Sequence, residues 1–348
     1  MLETALQEPA ALNTAAPDLA PAALEQLAAA RYGIVGKSSA LGGERDQNAC
    51  IESADGTRYV LKISNPSEQS AVVEFQIAAL DHIARAAPDL PIPRVLRSLS
   101  GQSIEQVTLP DGSVSMVRLL TYLDGVQIKH TERSDGQRGA MGSGLARLDL
   151  ALQGFSHTGA HHDLLWNVST AHRLRDKMES LQDPAKRQLA RHFMARFERD
   201  VLPRLSDVRA QVIHNDYHLY NVLVAPQELE RITGIIDFGD MLHAPLVGEV
   251  ATAAAFHMTG SEDPFAGPAQ FVAAYHAVLP LTAPEQEIVA DLMVTRHLVT
   301  ALISEWRAVR YPHNRAYIMR HNPAAWEALG QMADLPRQDA RDRLLSDI

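Results

Sequence analysis

Residues 212–224, VIHNDYHLYNVLV, place the strongest condition on any fold this chain can adopt. Two apolar, strand-like ends, Val212-Ile213 and Val222-Leu223-Val224, enclose His214, Asn215, Asp216, His218 and Asn221. Folding alone rarely crowds short polar side chains between buried segments, because each buried polar group costs free energy until it finds a partner. An architecture that tolerates this loop must hold it between strands and turn it toward a cleft.

The spacing His214-x-Asp216-x-x-x-x-Asn221 is that of the H-x-D-x-x-x-x-N catalytic loop of phosphoryl transfer, with Asn215 where protein kinases carry Arg. Sixteen residues beyond Asn221, an apolar strand signal ends in Asp237-Phe238-Gly239. Upstream, ACIESADGTRYVLKI puts Asp55-Gly56 between two strand-like runs, a hairpin cue, with Lys62 on the second strand. A helix is expected next, with Asn65 as its N-cap and an apolar stripe of Val73, Ile77, Leu80 and Ala84. Glu74 lies beside that stripe, within reach of Lys62 across the strand–helix packing. Thr121–Leu123 precede Asp124-Gly125, a turn that can serve as a hinge. Strand Lys, helix Glu, hinge, catalytic loop and D-F-G thus follow one another in order. Each is weak alone, and the sequence of all five is specific.

The chemistry explains the residue types. A phosphoryl transition state spreads negative charge over its oxygens, so positioning and electrostatic stabilisation do most of the work. Mg²⁺ prefers hard oxygen ligands, which Asn221 and Asp237 supply. Lys62 offers a point charge for phosphates, with Glu74 to hold it. Asp216 is placed to accept or orient the proton of a substrate hydroxyl. His214 reads as a scaffold for the loop, and His218, between base and metal ligand, as a contact to substrate or phosphate. A zinc site of His214, Asp216 and His218 would leave the D-F-G unexplained.

Composition sets outer limits. With 46% hydrophobic and 21% charged residues the chain is ordinary globular material, and 348 residues suggest two lobes. Lys plus Arg number 32 against 42 Asp plus Glu, a net charge of -10 that argues against nucleic acid as ligand and toward an amine-bearing one. A single cysteine, Cys50, cannot form an intrachain disulfide. Neither a secretion signal nor a membrane-spanning run is evident, so a cytoplasmic protein without a membrane partner is expected, one that could pair as a homodimer. The expected organisation is α+β. A flexible tail and leading helix span 1–28, a small β-rich nucleotide-binding lobe 29–123, and a helical lobe with catalytic loop and substrate site 124–348.

LGGERDQN (41–48), YVLKIS (59–64), VRLLTYLDG (117–125), HNDYHLYNVLV (214–224) and GIIDFGDMLHAPLVGEVATAAAF (234–256) together resemble the aminoglycoside phosphotransferase-like, choline kinase-like small-molecule kinases, and within them the hydroxylysine kinase subgroup. The resemblance runs from about Arg31 to Leu329. It implies a protein-kinase-like bilobal fold, Mg²⁺, and ATP or GTP as donor. It also implies Asp216 as catalytic base, Asn221 and Asp237 as metal ligands, Lys62 and Glu74 as the phosphate pair, the backbone of Thr121, Tyr122 and Leu123 against the purine, and Glu249 bracing the catalytic loop. LGGERDQN departs from G-x-G-x-x-G, so phosphate cover is expected from loop amides with Ser38, Ser39 or Arg45.

The acceptors of such kinases are hydroxyls on amino-bearing molecules such as hydroxylysine, choline, homoserine and aminoglycosides. An amine calls for carboxylates or aromatic faces, and an amino-acid carboxylate for Arg or Lys. Asp163 and Trp166, Asp240, and Arg296 with Glu305 and Trp306 are the candidates. A protein kinase is disfavoured by the missing Gly-rich loop and the missing A-P-E. A non-catalytic nucleotide-binding module is disfavoured because base and metal residues are all present.

Overall fold

Gly56 stands at φ 82 in the turn between β2 (Gln47–Ser53) and β3 (Arg58–Ile63), the hairpin expected from Asp55-Gly56. The computed structural model describes residues 6, 10, 14–43, 45–258 and 263–348. With β1 (Gly36–Leu41), β4 (Val95–Leu96), β5 (Glu105–Thr108) and β6 (Val114–Thr121) the hairpin builds an antiparallel sheet in the order β1-β2-β3-β6-β4, with β5 also on β6. Alternation divides β3 as its sequence implies: Leu61 and Ile63 are fully buried, while Val60 and Lys62 turn to the cleft. The helix Pro21–Tyr32 covers the buried face, its Leu24, Ala28 and Tyr32 packing with Ile51, Leu61 and Leu119. It is therefore part of this lobe's core.

The helix after β3 begins later than Asn65 suggests. It spans Ser70–Ala86, capped from Gln69, because Asn65 makes a turn instead: its Oδ1 accepts from Ser67 N–H and its carbonyl from Glu68 N–H. The flexible tail expected within residues 1–28 falls partly outside the described residues. The described part is anchored, with Leu6 N–H donating to Arg173 carbonyl and the Leu19 backbone exchanging hydrogen bonds with the Gln47 side chain.

Past Gly125 the chain becomes helical around two small ribbons that carry the motif segments. β7 (Val126–Gln127), β9 (Val222–Ala225) and β10 (Glu228–Ile235) form one; β8 (Ala210–Ile213) and β11 (Leu242–Pro245) form the other. Residues 214–221 link β8 to β9, and residues 236–241 link β10 to β11. The two motif segments are thus adjacent connections between the same two ribbons. Helices Asp135–Leu152, Leu246–Ala255, Ala266–Val278, Ala283–Arg310 and Asn322–Met332 pack behind them. This is the α+β, kinase-like two-lobed plan expected.

Two stretches of this lobe depart from regular α-helix. The helix Pro184–Arg196 widens to a π turn at Phe197–Val201 and tightens at Leu202–Asp207, where Pro203 withholds a backbone donor. Val168–Ser180 is a 3-10 stretch. Among the described residues no helix is long and apolar enough to cross a membrane.

Candidate active site

The segment His214–Asn221 is held by hydrogen bonds to backbone groups. Asn215 adopts φ 64, a left-handed conformation that Asn tolerates better than most residues, and its N–H donates to the buried carboxylate of Glu249 at 2.5 Å. His214 is fully buried, its Nδ1 accepting from Asp216 N–H at 3.3 Å. Its other ring nitrogen therefore carries the proton and donates to Ile236 carbonyl at 3.1 Å, joining the loop to the D-F-G segment. Burial keeps His214 below the usual imidazole range, so it serves as a neutral strut. Asn221 donates to both the carbonyl and the carboxylate of Asp216, at 3.0 and 2.8 Å.

Asp237 also has a positive φ, 62, and with Asn215 is one of two such non-glycine residues among those described. Both sit in the site, where strained backbone is most often stored. Burial opposes ionisation of Asp237, yet Lys62 and Arg45 outweigh it and hold the carboxyl below its ordinary value. Asp216 behaves oppositely: burial and then the Asp240 charge push it well up, with Arg296, 3.9 Å away, pulling it back. Lys62, Asp216, Asn221 and Asp237 all line one cavity of about 750 Å³ between the lobes. A second cavity of about 370 Å³ adjoins it, lined by Val60, Leu120, Thr121, Tyr122 and Leu123 and sharing Lys62, Asn221 and Asp237 with the first. The N–H groups of Thr121 and Tyr122 bond to Arg94 and Arg58 carbonyls, whereas no partner among the described residues takes that of Leu123.

Asn221 and Asp237 can accept a metal. The Asn221 amide nitrogen is committed to Asp216, which leaves its carbonyl oxygen for another electrophile. A carboxylate and a carboxamide oxygen are hard donors suited to Mg²⁺. Among the described residues no group of three His, Cys, Asp or Glu forms a site that would hold a metal alone, as the zinc reading would need.

Residues 39–288 match the model of the APH family, described as a phosphotransferase enzyme family. The chain belongs to this family. It is a phosphotransferase acting on an alcohol group. It is similar to hydroxylysine kinase of Mus musculus, 28% identical over 323 residues that cover 86% of this chain and 85% of the relative. Hydroxylysine kinase of Bos taurus is 28% identical over 326 residues, 87% and 86% of the two chains. Among solved structures, an amicoumacin kinase in complex with AMP-PNP and Ca²⁺ has a TM-score of 0.67 at 13% identity, covering 92% of this chain and 95% of its own. A microcompartment-associated aminopropanol kinase has 0.64 at 16%, with 94% and 98% covered. These structural likenesses are likenesses of fold.

The remaining expected residues of this phosphotransferase divide sharply. Trp166, His218, Asp240, Arg45 and Arg296 line the larger cavity. His218 stands 3.3 Å from Asp216, and burial lowers it to about 3, so it is neutral. Arg45 crosses from the upper lobe to pair with Asp240 at 2.5 Å. Glu74 is a correction. It is exposed and does not pair with Lys62, because Val73 and Gln76 are the residues the helix turns inward. Ser39 is a second correction, exposed on β1 opposite Cys50 and outside both cavities. Asp163 is a third: its side chain is 66% exposed and bonded to Arg173, directed away from the cleft. Glu305 and Trp306 are likewise occupied, by Lys186 and by the Lys177 ammonium over the indole.

Sequence reasoning missed Gln76 and Arg118. Arg118 lies on β6 directly opposite Lys62, and its buried guanidinium bonds Ser64 at 2.7 Å and Gln76 at 3.0 Å, with Asp46 at 3.5 Å. Gln76 in turn donates to Gly239 carbonyl at 3.1 Å. The signal was present: an Arg in the apolar strand MVRLL, a costly place for a charge without a purpose.

Proposed function

We propose that this chain transfers the γ-phosphate of a purine nucleoside triphosphate, ATP or GTP, to the hydroxyl of an amino-bearing metabolite, with hydroxylysine or a similar hydroxy-amino acid as acceptor. The observation that carries the reading is the meeting of Lys62, Asp216, Asn221 and Asp237, scattered over the sequence, on a single cavity. Lys62 and Arg118, opposite each other on neighbouring strands, favour it further because they place two cations on the wall of both cavities. Thr121–Leu123 would border the purine in the smaller cavity, with the Leu123 N–H available to its edge.

In this reading Lys62 and Arg118 bind and orient the phosphates, with Arg45 as a further cation from the loop above. Asp216, held by Asn221, receives the proton of the acceptor hydroxyl as the oxygen attacks in line. A divalent cation, Mg²⁺, held by Asn221 and Asp237 would neutralise phosphate charge. His214 and Glu249 fix the loop that presents the base. Asp240, which pairs with Arg45, and the Trp166 and Phe256 rings beside the Arg296 guanidinium are proposed to border the acceptor.

The test is nucleotide consumption by the purified protein with ATP or GTP, Mg²⁺ and a series of hydroxy-amino acids and amino alcohols. Acceptor-dependent turnover that a chelator abolishes and Mg²⁺ restores supports the reading. Turnover by an Asp216→Asn variant equal to the parent's would remove Asp216 from the role of base.

A further inference from the structure

The helix Ser70–Ala86 meets the cleft through Val73, Gln76 and Leu80, which follow at helical spacing and line its cavities. Glu74 falls off that face. Gln76 is buried, and its amide spans from the upper lobe to the lower. Its Oε1 accepts from Arg118 Nη2 at 3.0 Å, and its Nε2 donates to Gly239 carbonyl at 3.1 Å.

These partners dictate both the residue type and the way it faces. A guanidinium only donates and a carbonyl only accepts, so the amide oxygen must turn to Arg118 and the nitrogen to Gly239. A carboxylate would satisfy Arg118 but set an oxygen against the Gly239 carbonyl. A cationic side chain would satisfy Gly239 and repel Arg118. An amide of this length serves both.

What the amide joins bears on the chemistry. Arg118 borders both cavities opposite Lys62, and its guanidinium is steadied from other sides by Ser64 at 2.7 Å and Asp46 at 3.5 Å. Gly239 comes two residues after Asp237, and a Cβ placed on it would stand 3.1 Å from Asp237 Oδ1. The Gln76 bond therefore reaches the turn that presents the Asp237 carboxylate. A polyphosphate gripped by a cation on one side and through a metal on the other needs those two grips at a set spacing.

We propose that Gln76 is a positioning residue for the nucleotide: it aims Arg118 at the phosphates and, through the Gly239 carbonyl, ties that cation to the turn carrying Asp237. This rests on the kinase reading above and adds to it the residue that sets the spacing between phosphate cation and metal carboxylate. The helix from which a carboxylate was expected to steady Lys62 steadies Arg118 instead, and with a neutral group.

Calorimetry of ATP or GTP binding, with and without Mg²⁺, reads both halves of the proposal. Gln76→Leu should weaken metal-free binding by about tenfold through Arg118, and should also cut the strengthening that Mg²⁺ brings by about tenfold. Arg118→Gln should weaken metal-free binding at least as much, yet leave the Mg²⁺ effect within about twofold of the parent's, because Gln76 still holds Gly239. In the double variant the metal-free loss should equal that of Arg118→Gln alone, since a residue that acts through another does not add to it. If Gln76→Leu does not fold, Gln76→Asn takes its place: it keeps the amide but is one methylene too short to span both partners. A Gln76 that served packing alone would lower thermal stability and leave these affinities unchanged. The proposal is overturned if the Gln76 variants bind nucleotide and respond to Mg²⁺ as the parent does, or if the losses add in the double variant. A parent that binds neither nucleotide strikes the kinase reading and this proposal with it; a parent that binds one while the losses add strikes this proposal alone.

Discussion

Asn221 donates its side-chain amide to the Asp216 carboxylate at 2.8 Å, which ties the proposed base to a proposed metal ligand through one hydrogen bond. The two residues act as a unit: moving either changes where the other points. Asp216→Asn preserves the size of the group and removes its proton affinity. Turnover is expected to fall by about 10²–10⁴-fold while nucleotide affinity changes little. Steady-state kinetics together with calorimetry checks both halves.

Lys62 and Glu74 should separate rather than fail together. Lys62→Ala removes a charge that faces the cavity, where an opposite charge 4 Å away is worth about 4 kcal/mol at an intermediate dielectric. Nucleotide affinity and turnover should both drop, by about tenfold or more each. Glu74→Ala removes an exposed carboxylate without a role in the cleft, so kcat/KM should stay within about twofold of the parent. A large loss in the Glu74 variant would show that Glu74 swings in to meet Lys62.

Glu249 and Asn215 hold the loop by one backbone hydrogen bond and one left-handed residue. Asn215→Gly should retain activity, because glycine enters that conformation without cost. Asn215→Val should lose stability by about 1–2 kcal/mol and activity with it. Denaturant unfolding and turnover on the same samples test the pair.

Asp149 gives the pH dependence. Burial raises its carboxyl from 3.8 to about 8, while Tyr275 hydroxyl donates to it at 2.7 Å and its other oxygen has no partner. The folded value lies above the unfolded one. Between those pH values the folded chain keeps a proton that the unfolded chain has released. Stability contributed by this group therefore falls as pH rises from about 4 to about 8, by at most about 1.4 kcal/mol per unit, and levels off above. Asp149→Asn removes this group's share of the dependence and keeps an acceptor for Tyr275. Its stability advantage over the parent should grow from pH 5 to pH 8 in unfolding titrations.

How much of this was legible beforehand depended on range. The Asp55-Gly56 hairpin, the alternation of β3 and the loop from His214 to Asn221 are local, and local chemistry announces them. That Glu74 stays away from Lys62 was not legible. A helical stripe says which residues are apolar but leaves the helix's rotation open, and the rotation found turns Gln76 inward. Arg118 escaped notice because its meaning arises from register, opposite Lys62 across the sheet. β8 and β11 are short strands that pair across a long sequence separation, Ala210 opposite Pro245. Arg307 and Arg320 line the larger cavity without a motif of their own, one on the helix Ala283–Arg310 and the other in the 3-10 turn Met319–His321.

The helix Ala283–Arg310 is a single rod of 28 residues, about 42 Å long at 1.5 Å per residue. One of its stripes reaches the cleft at Arg296, Thr300, Ser304 and Arg307, with Arg296 3.9 Å from Asp216. A rod of this kind works as a gauge. Exchanging the side chain at one rung would lengthen or shorten the molecule that fits, while residues 214–221 and 236–241, which both join the same two ribbons, keep their places.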